Sequence, residues 1–60
     1  MTAGDKVAVF IDPTNKTGYE GEAELVRMVA SFKANGRSYE EWEVIFNGDD
    51  YLSRRFIRTN

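Results

Sequence analysis

The stretch GYEGEAELVRMVASFKANG, residues 18–36, decides the fold, because it satisfies two incompatible periodicities. As a helix, Leu25, Met28, Val29 and Phe32 fall at i, i+3, i+4 and i+7 and make one apolar stripe. Thr17 and Glu20 have capping-box spacing, Glu20, Glu22 and Glu24 suit the positive start of a helix, and Asn35-Gly36 suits a left-handed stop. Against this, Gly18 and Gly21 would sit in the first turns, at up to about 1 kcal/mol each relative to alanine. As a strand, Ala23 and Leu25 alternate with Glu22, Glu24 and Val26, and Gly21 is a natural place for a bulge or bend. Local propensity leans slightly to the helix and leaves both open.

The flanking segments are less ambiguous. Residues 5–12 alternate Val7, Val9 and Ile11 with Lys6, Ala8 and Phe10, which reads as a strand. Asp12-Pro13-Thr14-Asn15 follows as a turn, Pro13 fixing φ while Asp12 and Asn15 supply side chains that bond nearby backbone. Residues 40–46 place Trp42, Val44 and Phe46 on one face, a half-buried strand. Asn47-Gly48 then begins a hairpin turn whose aspartates, Asp49 and Asp50, keep the tip solvated. In the returning segment 51–58, the broken spacing of Tyr51, Leu52, Phe56 and Ile57 predicts a bulge or a helical turn around Ser53–Arg55.

Sixty residues make a single domain, residues 1–60, with no cofactor-sized interior. The chain is 42% hydrophobic and has no cysteine and no histidine, so a disulfide, a thiolate or imidazole metal site, and His-based catalysis are all excluded. The apolar run near the N-terminus is too short for a signal-peptide core or a membrane span, which gives a cytoplasmic address by default. Net charge is −2, but segregated: Glu40, Glu41, Glu43, Asp49 and Asp50 precede an arginine-rich end with Arg54, Arg55 and Arg58.

In order, GDKVAVFI, a turn-rich loop ending in GYEGEAELV, EEWEVIF and RRFI resemble the small SH3-like barrels of the KOW and Tudor type. The "EGxAxL" and "W-x-V-x-F … R-F-I" segments also resemble short proteins of unassigned function carried by phages and mobile elements. The resemblance spans residues 4–58 and implies a mainly β fold, an SH3-like barrel of about five short strands. It makes residues 13–20 a long loop between the first two strands and 32–38 a connection around Gly36. The alternative is an α+β layer, βαββ, with a helix at about 20–34.

Several motifs have a chemical reading and a blander one. Gly48-Asp49-Asp50 matches the metal-site triplet of RNA-dependent polymerases, but so short a chain cannot hold a polymerase, and a solvated turn explains it. Glu41 and Glu43 share a strand face, yet acid–base work would need one of them desolvated in a cleft. Ser31, Ser38 and Ser53 lie in no nucleophile elbow. No enzymatic activity, metal or cofactor is therefore expected. Arg54, Arg55 and Arg58, with Tyr51 and Phe56 interleaved, are the best contact surface, since arginine takes phosphate or carboxylate in bidentate fashion and an aromatic can stack a base. The blander reading neutralises them against Glu40, Glu41 and Glu43 across the hairpin. Tyr19, in the long loop, is the freest aromatic, whereas Trp42 belongs to the core.

The expected function is a non-enzymatic binding or adaptor module for a protein partner, an accessory protein of a phage or mobile element with no membrane contact. A nucleic-acid-binding module using Tyr51, Arg54, Arg55 and Arg58 is the rival. A third reading makes the acidic segment 39–50 a mimic of a phosphate backbone that blocks a nucleic-acid enzyme.

Overall fold

The computed structural model describes residues 1–60 and resolves the ambiguity of the central stretch in favour of a strand. Four strands, β1 (Lys6–Asp12), β2 (Thr17–Ala34), β3 (Arg37–Phe46) and β4 (Ser53–Arg58), form one antiparallel sheet in the order β1-β2-β3-β4. Mainly β is thus correct and the alternative, with a helix at about 20–34, is not, while four strands stand where about five were expected. The sheet does not close into a barrel, because β1 and β4 are both edges with no ladder between them.

Register shifts explain why β2 imitates a helix. Leu25 pairs with Val44 and Arg27 with Glu43, leaving Val26 as an extra residue; Met28 pairs with Trp42 and Ala30 with Glu41, leaving Val29 as another. Each bulge advances the side-chain phase by one residue, so Leu25 and Met28 lie on one side of the sheet three residues apart instead of two. A strand with two such insertions reproduces the i, i+3 spacing of a helix. A third shift, opposite Val9 and Phe10, sets Glu20 outside the pairing next to Gly21, whose φ of 131° a side chain rarely adopts.

The turns differ from expectation as well. Asn35 and Gly36 have φ of 52° and 76° and join the paired residues Ala34 and Arg37, a two-residue type I′ hairpin loop rather than a helix stop. The connection 13–20 shrinks to the turn 13–16, and β3 starts at Arg37, within the connection predicted at 32–38. Asn47-Gly48 only begins a longer loop: Asp49 donates its N–H to the Phe46 carbonyl at 3.0 Å, and pairing resumes at Val44 with Ser53. Ser53–Arg58 is a regular strand, without the bulge or helical turn read into Ser53–Arg55.

The sheet curls around one apolar face. Val9, Ala23, Leu25, Trp42, Val44 and Ile57 form the core, with Leu25 and Val44 fully enclosed and Val7 and Phe46 packed at its margin. The accessible surface of 3935 Å² is close to the ~4000 Å² that scaling with mass gives for a folded chain of this size, so the open, curled sheet is as compact as a folded chain of its mass. On the other side of β3, Tyr39 is buried beneath a smaller aromatic group. Phe32 stacks on it at 5.4 Å and meets Phe56 edge-on at 5.7 Å.

Candidate functional site: a groove between the two sheet edges

β1 and β4 face each other across the opening of the curl. Between them lies a groove of about 330 Å³ whose walls include Val7, Ala8 and Phe10 from β1 and Phe56, Ile57 and Arg58 from β4. Pro13 and Lys16, in the turn after β1, line one end of it.

That turn is built from side-chain bonds. Asp12 accepts from the Thr14 N–H at 3.0 Å and the Asn15 N–H at 3.2 Å through one carboxylate oxygen, and from the Asn15 amide at 3.1 Å through the other. The Asn15 backbone bond is the main reason the Asp12 carboxyl titrates below its ordinary range, helped by the Asn15 amide and the Thr14 N–H against a small desolvation. The turn then docks on the far end of the sheet. The hydroxyls of Thr14 and Tyr39 share a hydrogen bond at 2.7 Å, and Arg58 Nη1 donates to the Thr14 carbonyl at 2.8 Å. These bonds tie β1's end to β4's end without any strand pairing between them.

Arg58 is unusual within this arrangement. Its Nε is sealed from solvent with no hydrogen-bond partner, and it takes part in none of the three ion pairs. Arg58 lines the groove, its guanidinium bonded to one neutral acceptor and to no carboxylate.

The other arginines are engaged elsewhere. Arg55 makes a two-point pair with Glu20, Nε to Oε2 at 2.9 Å and Nη2 to Oε1 at 3.0 Å, and lies over the Phe46 ring at 5.3 Å. The Glu20 bond is the largest factor holding Arg55 in its charged form. Because β2 and β4 are not neighbours in the sheet, this pair spans β3 on the side opposite Arg54. Arg54 sits 4.0 Å from Glu43, which also accepts from Arg27 Nε at 2.8 Å. The hydrogen bond from Arg27 is the chief cause of Glu43's lowered pKa, with the charges of Arg27 and Arg54 adding to it against desolvation.

The residues singled out from sequence are not gathered into one site: Tyr51 and Arg55 line a second cleft with Glu20 and Phe46, while Phe56 and Arg58 line the groove. Arg54 and Arg55 face opposite sides of β4, Tyr51 is exposed in the loop before it, and Tyr19 is exposed on β2, 5.7 Å from the Phe10 ring. Of the three arginines, Arg58 is the one in the groove. Val7, Ala8 and Phe10 were legible as a strand but not as a wall, since that role depends on which strands the curl leaves unpaired.

No group of three or more Asp, Glu, His or Cys side chains is placed to hold a metal ion, and no helix is long and apolar enough to cross a membrane. Comparison with protein-family models, with curated proteins and with solved structures finds no match to this chain.

Proposed function

We propose that the chain is a non-enzymatic protein-binding module, an accessory protein of the sort its sequence resembles in phages and mobile elements, working in the cytoplasm. The observation that carries this reading is the groove: an apolar cleft of about 330 Å³ bordered by two strands with unpaired edges. Proteins bind extended segments along such edges because backbone hydrogen bonding supplies affinity while neighbouring pockets select side chains. The incompletely closed sheet is compatible with the SH3-like resemblance, in which a short curled sheet presents a peptide groove.

The two rival readings have less to rest on. A nucleic-acid surface needs several free cations on one face, whereas Arg55 is committed to Glu20 and Arg54 adjoins Glu43. A phosphate mimic needs an uncovered acidic stripe, whereas Glu43 carries Arg27 and Glu40 accepts from the Trp42 indole at 2.8 Å.

Selection from a random peptide display library, followed by mapping of amide shifts, tests the proposal. Enriched peptides that perturb the amides of Val7–Phe10 and Phe56–Arg58 support it. Failure of any sequence to enrich, together with salt-dependent binding of single- or double-stranded DNA or RNA, would overturn it in favour of the nucleic-acid reading.

A further inference from the structure

Resting on the protein-binding reading, we infer that the groove takes an extended acidic segment of a partner, paired along the free edge of β1 with a carboxylate on Arg58. The ladder fixes which backbone groups are free. Leu25 donates to the Asp5 carbonyl at 2.8 Å, and residues of an antiparallel strand alternate between facing their partner and facing away. Lys6 and Ala8 therefore turn their N–H and C=O groups toward the open edge. By the same rule, with Thr59 donating to Ser38 at 2.9 Å, Phe56 and Arg58 face away from β3 on β4.

Spacing decides how many edges one segment can use. A strand inserted between two ladders needs about 9.6 Å, twice the ~4.8 Å strand separation, yet some β1 and β4 Cα atoms lie within 8 Å of each other. The segment thus pairs with one edge and packs its side chains on the other. β1 is the suitable edge: Ala8 leaves room beside it, while Phe56 and Ile57 offer apolar surface opposite.

Charge selects the occupant. The lining holds two cations, Arg58 and Lys16, and no carboxylate, and Arg58 takes part in no ion pair. A guanidinium without a carboxylate partner gains a charge-assisted bond from an incoming carboxylate at the N–H groups that remain open to the groove. A second copy of the chain fits poorly. Its β4 holds no acidic residue, and the one carboxylate of its β1, Asp12, is already bonded to Thr14 and Asn15.

The test uses acetylated, amidated peptides of about six residues, a common strand length, alternating valine and threonine with one central glutamate, and the same peptides with glutamine. Titrations followed by amide shifts and hydrogen exchange are expected to show the glutamate peptide perturbing Lys6, Ala8 and Arg58 and slowing exchange at Lys6 and Ala8. Glutamine should weaken binding at least tenfold, as should Arg58→Gln. Ala8→Pro removes an edge N–H without touching the β1–β2 ladder, so it keeps the fold and should also abolish binding. Equal affinity of both peptides, or binding that survives Ala8→Pro, overturns the inference while leaving a protein-binding module. Shifts at Arg58 with inorganic phosphate or a thymidine oligonucleotide but with no peptide overturn both, and concentration-dependent dimerisation through β1 without peptide replaces the partner with a second copy.

Discussion

Individual residues decide how firmly this small sheet holds. Leu25 is completely enclosed between Val9, Trp42 and Val44, so Leu25→Ala leaves a cavity with few means of collapse. The expected loss is about 3 kcal/mol, within the usual ~2–5 for such truncations, and a chain this short has little more than that in reserve. Urea unfolding should show the variant mostly unfolded at room temperature; a shift under about 1 kcal/mol would place Leu25 outside the core. Two carboxylates set the acid limit. Both Asp12 and Glu43 titrate below their ordinary values of 3.8 and 4.5 in the folded chain, so each contributes stability at pH values above its unfolded pKa. That contribution is lost as pH falls through the folded values. Midpoints should be level from about pH 7 to 5 and fall below about pH 4, and the decline should be shallower in a variant carrying Asp12→Asn and Glu43→Gln. An unchanged acid slope in that variant would show that other carboxylates govern it.

At the scale of elements, the flanking strands were legible and the central one was not. Val7, Val9, Trp42, Val44 and Phe46 alternate without interruption, and the period of two survives into the sheet. In β2 the bulges at Val26 and Val29 replace that period with a spacing that a helix also explains, and nothing local separates the two. The discriminating signal was Asn35-Gly36, a two-residue pair with Phe32 and Ala34 before it and Arg37 and Tyr39 after it, which becomes a hairpin once the partner strand is known. Gly36→Val tests this. Both loop residues hold positive φ, and a β-branched side chain in that region costs roughly 1–2 kcal/mol or more, whereas a helix stop would lose less with Asn35 still able to cap. The Glu20–Arg55 pair was illegible for a different reason: its partners lie far apart in sequence and meet only because the bulge beside Gly21 redirects Glu20. A double-mutant cycle with Glu20→Gln and Arg55→Gln should return a coupling of about 1 kcal/mol, the upper range for a partly exposed, two-point pair. A coupling indistinguishable from zero would mean the pair does not help hold the curl.

Across the whole molecule, stability is distributed unevenly because the strands differ so much in length. β1 pairs with β2 only as far as Glu24, and the C-terminal segment reaches along β3 only to Ser38, so the hairpin end spanning 29–37 has one neighbour on each strand and no core residue beneath it. Its tertiary support is the stack of Phe32 on Tyr39 and the edge of Phe56, all on the side away from Leu25 and Val44. Elements with few buried apolar contacts open locally at free energies below the global value. Amides from Val29 to Arg37 should therefore exchange by a subglobal opening with a small denaturant dependence, while those of Ala23, Leu25 and Val44 exchange only with global unfolding. Phe32→Ala should lower the protection of the arm and leave that of Leu25 within a few tenths of a kcal/mol, since the two clusters lie on opposite sides of the sheet. If arm and core instead lose protection together, the two sides behave as one cooperative unit. Tyr39 would then couple them, because its hydroxyl is bonded to Thr14 in the turn that Arg58 also holds, and a partner seated beside Arg58 would be felt as far as the hairpin tip.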